Sequence, residues 1–252
     1  MTDRVVIVLP TYNEKENIGR LLDAILRQGE RLSDARLVIL VVDDSSPDGT
    51  ADVVEEYSKR HSNIHLLGGA KKNGLGTAYK RGFAYALNQL QADVVFEMDA
   101  DFSHDPDDIP RLLAPLREGS DFVIGSRYVP GGSIPDNWAY WRKANSKWGN
   151  VFARYIAGLP GIKDCTSGFR AIRAASLREI DVDKLAVTGY AFQMNLLDQA
   201  IKHGFRVSEI PIKFTDRLHA KSKLGLGDIV EFILNAFRLR LSLWFGARRP
   251  KR

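Results

Sequence analysis

Short runs of apolar, often β-branched residues alternate with longer amphipathic segments through the first half of this chain. The amphipathic segments repeat their apolar residues at helical spacing, as Ile18, Leu21, Leu22 and Ile25 do in the first of them. Runs with the length and composition of buried strands occupy positions 5–9, 37–42, 64–67, 94–98 and 122–125. This alternation predicts an α/β protein: a doubly wound, mostly parallel sheet with helices on both faces.

Polar residues follow three of these strands at the point where each strand ends. In a doubly wound sheet, ligands bind in the crevice at the carboxyl ends of the strands. We therefore expect the three clusters to line one site. They are Asn13 with Glu14, Asp43 with Asp44, and Asp99 with Asp101.

The pair Asp99 and Asp101 is the candidate metal site. Two carboxylates spaced i, i+2 after a buried strand aim at one point, and oxygen ligands suit Mg²⁺ or Mn²⁺. The same spacing occurs in Asp105-Pro-Asp107 and Asp181-Val-Asp183. For the first of these, capping of a helix that begins at the proline is sufficient explanation. Position at the sheet edge distinguishes Asp99 and Asp101 from both.

Asp43 and Asp44 end the second strand and suit a nucleoside, because a carboxylate accepts hydrogen bonds from a base N–H or a ribose hydroxyl. The following Asp48-Gly49-Thr50 is a turn and helix cap. The basic, glycine-rich loop at 68–76 leads into a helix and suggests phosphate binding at the helix N-terminus. It matches neither the P-loop nor the dinucleotide-binding pattern, which argues against kinase-like and NAD-binding functions.

Beyond about position 128 the alternation is less regular. Strands are predicted at 168–172 and 207–214, with helices at 140–156 and 193–202. No linker or repeat separates this half, so we interpret residues 1–226 as one domain. Cys165 is the only cysteine, which excludes an internal disulfide and favours a reducing compartment. His104 and His219 have no partner at metal-ligand spacing and are expected to be surface or loop residues.

Tryptophans are interleaved with basic residues in the predicted helix at 140–156 and just before it. The six residues are Trp138, Trp141, Arg142, Lys143, Lys147 and Trp148. The pattern suits a membrane interface, single-stranded nucleic acid, or an ordinary amphipathic helix with solvated lysines. The acidic crevice disfavours nucleic acid, because its carboxylates repel a phosphate backbone.

The segment 227–252 is predicted to be an amphipathic helix followed by basic residues. A polar stripe recurs at helical spacing, at Asp228, Glu231, Asn235, Arg238 and Ser242. The other side is apolar, and too many charges interrupt the segment for it to span a bilayer. It either covers the sheet as a core helix or lies in the membrane interface. No stretch of the chain reaches the roughly 20 apolar residues of a membrane span, so the protein is expected to be soluble or peripheral.

Over residues 5–226 the sequence resembles the dolichol- or polyprenol-phosphate mannose synthases, inverting family 2 glycosyltransferases with the GT-A fold. Seven motifs carry the resemblance in the family's order. They are Leu9-Pro-Thr-Tyr-Asn-Glu14, Val42-Asp-Asp-Ser-Ser-Pro-Asp-Gly-Thr50, Asn73-Gly-Leu-Gly-Thr-Ala78, Met98-Asp-Ala-Asp-Phe-Ser-His104, Gly125-Ser-Arg-Tyr128, Gly189-Tyr-Ala-Phe-Gln-Met194 and the loop Arg217…Ser222-Lys223.

The resemblance implies a role for particular residues. Guanosine would be held by Pro10, Tyr12, Glu14, Val42 and Asp44. Metal and diphosphate would be bound by Asp99, the backbone of Ala100, Asp101 and Ser103. Ser103 is a weaker ligand than the glutamine some members carry there. Donor phosphates would contact Arg127, Arg217 and Lys223, which with Asp101 form the catalytic set, and the acceptor phosphate would contact Arg142 and Ser146. Asn195 stands where many members have an acid, and no role is assigned to it.

The resemblance implies transfer of mannose from GDP-mannose to a membrane polyprenyl or dolichyl phosphate, with inversion, by an enzyme peripheral to the cytoplasmic face of a membrane. The acceptor phosphate is already anionic, so no general base is required. This agrees with the lack of an evident histidine or raised-pKa glutamate in the motifs. A polyprenyl-phosphate glucosyltransferase using UDP-glucose is the alternative. A sugar nucleotidyltransferase shares the sheet but has no use for an amphipathic basic tail.

Overall fold

The computed structural model describes residues 2–159, 161–185, 191–216 and 226–245. Within these residues there are seven strands: β1 Asp3–Thr11, β2 Ala35–Asp43, β3 Ile64–Gly68, β4 Val94–Glu97, β5 Phe122–Ser126, β6 Arg170–Arg173 and β7 Val207–Pro211. The α-helices of the same residues are α1 Lys15–Arg31, α2 Thr50–Arg60, α3 Leu75–Asn88, α4 Ile109–Arg117, α5 Tyr140–Ile156, α6 Ala174–Glu179, α7 Ala191–Lys202 and α8 Leu226–Phe245.

The strands form one sheet in the order β3-β2-β1-β4-β6-β5-β7. Pairing is parallel except for β6, which runs antiparallel to both of its neighbours, β4 and β5. The prediction of a mostly parallel, doubly wound sheet is therefore confirmed. Each strand predicted from an apolar run is present, with small differences at the ends. The last one stops at Pro211 and not at position 214.

The sheet has a hydrophobic core on each face, because successive side chains of a strand point to opposite sides. Along β1, Val6 and Val8 face the core that contains α3 and α7, while Ile7 faces the core that contains α1 and α4. Helices on both faces are what the sequence predicts. Asp105 caps the short 3-10 helix Pro106–Asp108 by accepting from the Asp107 N–H, also as predicted.

Helix α8 packs against α7 and α5, through one face only. Its residues Asn235, Ala236 and Leu239 are buried, and the Asn195 side-chain amide donates to Asn235 Oδ1 at 3.1 Å. The prediction that Asn235 belongs to a solvent-facing polar stripe is wrong. A buried amide oxygen requires a hydrogen-bond donor, and Asn195 on the neighbouring helix supplies it for Asn235.

The outer face of α8 is apolar: Val230, Leu234, Phe237 and Leu241 are exposed. The side chain of Trp244 lies outside the described residues, so its contact remains a prediction. Among the described helices, none is both long enough and apolar enough to cross a bilayer.

Candidate functional site

The polar clusters predicted at three strand ends lie along one edge of the sheet, since β2, β1 and β4 are adjacent. Pro10 is paired with Val42 across β1 and β2, and Val8 is paired with Glu97 across β1 and β4. The chain turns sharply at each end. Three non-glycine residues there, Asn13, Ser45 and Phe102, have φ values of 58°, 56° and 61°. This left-handed conformation is costly for a bulky residue such as Phe102, and such strain concentrates at functional sites.

Asp43 and Asp44 have different tasks although both are buried. Asp43 accepts hydrogen bonds from the Thr11 hydroxyl, at 2.8 Å, and from the Ser46 N–H and hydroxyl. It therefore fastens the end of β2 to β1 and shapes the loop. Asp44 instead forms an ion pair with Arg81 of α3 at 2.7 Å. Of the two acids, Asp44 is the one for which the sequence resemblance implies a contact with guanosine.

The remaining residues of the predicted nucleoside set lie around the same edge. Val42 is buried, Pro10 and Tyr12 are half-buried, and Glu14 is buried with the Asn17 amide donating to its Oε2 at 3.0 Å. The loop between β2 and α2 ends in a turn in which Asp48 Oδ1 accepts from the Thr50 N–H and hydroxyl, as predicted.

The glycine-rich basic loop after β3 lies beside this nucleoside edge. The Asn73 N–H donates to Asp44 at 3.2 Å, and Lys72 Nζ lies 4.5 Å from the centre of the Tyr12 ring. Its contacts are with the residues implied for the nucleoside and not with the acidic pair of β4. The suggestion that this loop binds phosphate receives no support from these contacts.

Asp99 and Asp101 follow β4 and border the crevice next to β1. Asp101 is buried and its Oδ1 accepts from the Ser103 N–H at 3.0 Å, which closes a tight turn through Phe102. Asp99 is half-buried, and its carboxylate lies near Gly168 of the loop before β6. The turn thus fixes the direction of the Asp101 carboxylate.

These residues fit a hard divalent cation. Mg²⁺ and Mn²⁺ need only one or two protein carboxylates, because water and substrate phosphates complete the shell. The Ser103 hydroxyl is fully buried and has no hydrogen-bonding partner among the described residues, as expected of an oxygen reserved for a ligand. The described part of the chain contains no cluster of three or more His, Cys, Asp or Glu side chains suited to a metal. A site here would therefore depend on Asp99, Asp101 and Ser103.

His104, expected to be a surface or loop residue, lies in the loop after β4 but is buried there and not at the surface. The ring is 1% exposed, stacks on Phe169 at 4.9 Å between ring centres, and meets the edge of Phe214. Its Nδ1 accepts from the Asp99 N–H at 3.1 Å. His104 thus holds the loop of Asp99 and Asp101 against the core. Nothing in the local sequence indicates the two aromatic partners, which lie far along the chain.

Sequence reasoning also missed a buried ion pair beneath the loop of Asp99 and Asp101. Glu97 of β4 and Arg170 of β6 are both fully buried, with Oε2 and Nε 3.6 Å apart. Burial raises the pKa of Glu97 to about 7, although the Arg170 charge opposes the rise. A raised-pKa glutamate therefore stands two residues before Asp99. The signal available in the sequence was the single charge inside the apolar run 94–98.

Arg127, expected to contact donor phosphates, already has a strong partner. Its Nε and Nη2 each lie 2.7 Å from an oxygen of the buried Asp164, and Nη2 also donates to Thr166. Although burial raises the pKa of Asp164, the charge and hydrogen bonds of Arg127 outweigh it and hold the pKa below the ordinary value. The pair ties the end of β5 to the loop before β6. The phosphate role of Arg127 stays a prediction.

The two residues implied for the acceptor phosphate, Arg142 and Ser146, both lie on α5. Arg142 stacks over the buried Trp138 ring at 3.8 Å and pairs with Asp216 at 3.2 Å. The Ser146 hydroxyl accepts from the Tyr128 hydroxyl at 2.6 Å. Arg142 and Ser146 are thus one helical turn apart on α5. Arg217 and Lys223 lie outside the described residues, as does His219, so their predicted placement is untested.

The fold and the acidic crevice define a class, the GT-A glycosyltransferases. The structure superposes on glucosyl-3-phosphoglycerate synthase of Mycobacterium tuberculosis, solved with Mn²⁺, UDP and glucosyl-3-phosphoglycerate, with a TM-score of 0.68. The match covers 99% of this chain and 81% of that one at 19% identity, so it establishes the fold alone. The profile of the family described as Glycosyl transferase family 2 matches residues 6–181.

Three characterised relatives narrow the class. The chain is 42% identical to the undecaprenyl-phosphate mannosyltransferase of Micrococcus luteus, over 97% of this chain and 98% of that protein. It is 40% identical to the polyprenol monophosphomannose synthase of Mycolicibacterium smegmatis, over 91% and 84%. It is 35% identical to the dolichol-phosphate mannosyltransferase of Pyrococcus furiosus, over 94% and 63%. The chain belongs to glycosyltransferase family 2, and within it to the polyprenol- and dolichol-phosphate mannose synthases.

Proposed function

We propose that this enzyme transfers mannose from GDP-mannose to a polyprenyl phosphate, with inversion, to give polyprenyl-phosphate β-mannose and GDP. The observation that carries the proposal is the 42% identity to an undecaprenyl-phosphate mannosyltransferase over 97% of the chain. The crevice at the ends of β1, β2 and β4 supports it, because the residues proposed for the nucleoside lie there beside the acidic pair Asp99 and Asp101.

On the donor side, Pro10, Tyr12, Glu14, Val42 and Asp44 would hold the guanosine. Asp99, the Ala100 backbone, Asp101 and Ser103 would hold Mg²⁺ or Mn²⁺ together with the diphosphate. When bound, such an ion neutralises the charge that develops on the departing diphosphate. Arg217 and Lys223 would add positive charge there, and Arg127 would do so from its pair with Asp164.

On the acceptor side, Arg142 and Ser146 would hold the lipid phosphate. That phosphate is an anionic nucleophile near neutral pH, so the protein needs to position it and has no proton to remove. The burial of Glu97 and His104 agrees with a mechanism that needs no general base, because both side chains lie in the protein interior. The role of these two residues is to support the metal loop and not to act as a base. In-line attack by the lipid phosphate at the anomeric carbon displaces GDP and inverts the configuration of that carbon.

The lipid acceptor requires that the crevice reach a membrane, and we propose that α5 and α8 make this contact. Trp141, Trp148 and Tyr155 are exposed on α5 at intervals of seven residues, which places them on one side of the helix. These three side chains form an aromatic stripe on α5. Phe152 of α5 packs edge-on against Phe237 of α8, so this aromatic stripe continues into the exposed apolar face of α8. Aromatic and aliphatic side chains on one surface suit insertion at headgroup depth.

Basic residues accompany this surface and suit anionic headgroups. Lys147 of α5 and Arg238 and Arg240 of α8 are exposed. Each basic residue near an anionic surface contributes roughly 1 kcal/mol of attraction. We place the enzyme peripherally on the cytoplasmic side, where its donor nucleotide sugar would be available.

The proposal is tested by incubating the purified chain with Mg²⁺ or Mn²⁺, undecaprenyl phosphate and radiolabelled sugar nucleotides. We expect label from GDP-mannose in the organic phase, a β-linkage by NMR, and loss of transfer in EDTA. Transfer from UDP-glucose in place of GDP-mannose would establish the glucosyltransferase alternative. Retained activity in EDTA would exclude the metal role of Asp99 and Asp101.

A further inference from the structure

Asp44 joins three elements through its two carboxylate oxygens. Its Oδ1 accepts from Arg81 Nη1 of α3 at 2.7 Å, and its Oδ2 accepts from the Asn73 N–H of the loop between β3 and α3 at 3.2 Å. The Arg81 guanidinium also donates to the Leu67 carbonyl of β3 at 3.4 Å. The Asp44 side chain is only 6% exposed, so its orientation is fixed before any ligand binds.

The chain makes room for this pair at one of two adjacent glycines. A Cβ at Gly69 would lie 2.4 Å from Arg81 Nη1 and 2.8 Å from Asp44 Oδ1, which is closer than real side chains approach. A Cβ at Gly68 would meet nothing within 4 Å. Neither glycine needs the left-handed conformation, since neither has a positive φ. A side chain at 69 would therefore force Arg81 or Asp44 to move, whereas the backbone conformation alone does not require glycine there.

The chemistry of the fixed carboxylate favours one kind of base. Each oxygen has two lone pairs, and Arg81 and Asn73 occupy one on each, which leaves one on each oxygen. Guanine presents two adjacent N–H donors, at N1 and the exocyclic amine, whereas uracil presents a single N–H between two carbonyls. A buried carboxylate covered by a base also needs a compensating cation, which Arg81 supplies.

We propose that Arg81 is a positioning residue for donor selection: it holds Asp44 so that the two free lone pairs meet the paired N–H donors of guanine. The inference rests on the proposed use of GDP-mannose and adds Arg81 and Gly69 to the residues that determine it. A purely structural pair between β2 and α3 would make a different prediction, because its loss would weaken all nucleotides equally and lower the melting temperature.

The test measures dissociation constants of GDP and UDP by calorimetry in Mn²⁺ for the full chain and four variants. For Arg81→Ala we expect GDP affinity to fall about 10- to 100-fold, the effect of disturbing a charge-assisted hydrogen bond, with little change for UDP. Arg81→Lys restores part of the GDP affinity, because the charge remains and the fork geometry is lost. Gly69→Ala reproduces the Arg81→Ala selectivity, and Gly68→Ala, the matched control, behaves as the wild type.

Two results would overturn the inference, and each differs from failure of the proposed function. One is an unchanged affinity for GDP in Arg81→Ala and Gly69→Ala. The other is an equal loss of affinity for both nucleotides together with a lower melting temperature, which assigns the pair to the fold. If the wild type itself prefers UDP, the proposed donor is wrong, and that result is read before any variant is compared. Should Arg81→Ala fail to fold, Gly69→Ala gives the same comparison.

Discussion

Asp101 shows how the local backbone prepares a side chain for a task at the residue scale. Its Oδ1 accepts from the Ser103 N–H across a turn that passes through Phe102 at a φ of 61°. An asparagine preserves this hydrogen bond, since its amide oxygen also accepts, but it removes the negative charge. The two functions of the side chain, shaping the loop and binding a cation, are thereby separable.

For Asp101→Asn we accordingly expect mannosyl transfer to fall at least about 100-fold, the loss typical when a key electrostatic group is removed. The melting temperature should stay near that of the wild type. Steady-state transfer assays and thermal unfolding measure the two quantities. Asp105→Asn is the matched control, because Asp105 only caps a 3-10 helix. Near-normal turnover of Asp101→Asn would exclude the metal role.

The role of Arg142 can be tested by comparing the KM for polyprenyl phosphate with the affinity for GDP. If it holds the acceptor phosphate, Arg142→Ala raises the apparent KM for polyprenyl phosphate and leaves GDP affinity unchanged. The neighbouring Lys143→Ala is the control, since the Lys143 ammonium donates to the Asp136 carbonyl. Equal losses for both ligands would assign Arg142 to the donor site or to the packing of Trp138.

At the scale of a whole element, helix α8 has one buried face and one exposed face. The face with Asn235 and Ala236 is docked on α7 through the Asn195 hydrogen bond, while Leu234, Phe237 and Leu241 are exposed. The two interpretations of this segment left open by the sequence are therefore compatible. Deleting the helix would uncover α7 as well as remove the exposed face, so point substitutions test membrane binding more cleanly than truncation.

We expect Trp148→Ser combined with Phe237→Ser to weaken binding to anionic liposomes about 10-fold or more. The two substitutions remove apolar surface area that would otherwise insert into the membrane. Co-sedimentation at low and high salt measures it. Tyr140→Ser is the control: Tyr140 is as exposed as the stripe but lies about 100° around α5 from Trp141. Unchanged binding by the double variant would count against the α5 and α8 surface.

At the scale of the whole molecule, the pair of Arg127 and Asp164 connects β5 to the loop that leads into β6. The pKa of Asp164 is held below its ordinary value of 3.8. A depressed carboxyl pKa stabilises the fold above the unfolded-state pKa, and the contribution disappears as the pH falls through the folded-state pKa. The ion pair therefore supports the native state at neutral pH and fails in acid.

The corresponding experiment compares unfolding of the wild type and Asp164→Asn from pH 7 to pH 3. At neutral pH the variant should be less stable by about 3 kcal/mol, since removing one partner leaves a buried charge unpaired. The difference should shrink below about pH 4. Asp181→Asn, which breaks an exposed pair with Lys184, is the control. A stability difference that is independent of pH would exclude the ionic contribution of Asp164.

The order of elements and the position of the acidic crevice were predictable because both depend on local patterns. A buried strand is a short apolar run, an amphipathic helix repeats every three or four residues, and a carboxylate at a strand end lies at the sheet edge. The run 94–98 followed by Asp99 and Asp101 therefore predicted β4 and its candidate metal loop. The helix 140–156 was predicted with the bounds that α5 has.

What the sequence by itself determined was thus the class of fold, the edge where ligands bind and the family. The tertiary structure decided which charges and rings meet. His104 is buried against Phe169, Glu97 lies opposite Arg170, and Asn235 faces Asn195. The physical reason is distance along the chain: periodicity reports whether a residue is buried, whereas its partner comes from a segment tens of residues away that only the packed sheet and helices bring into contact.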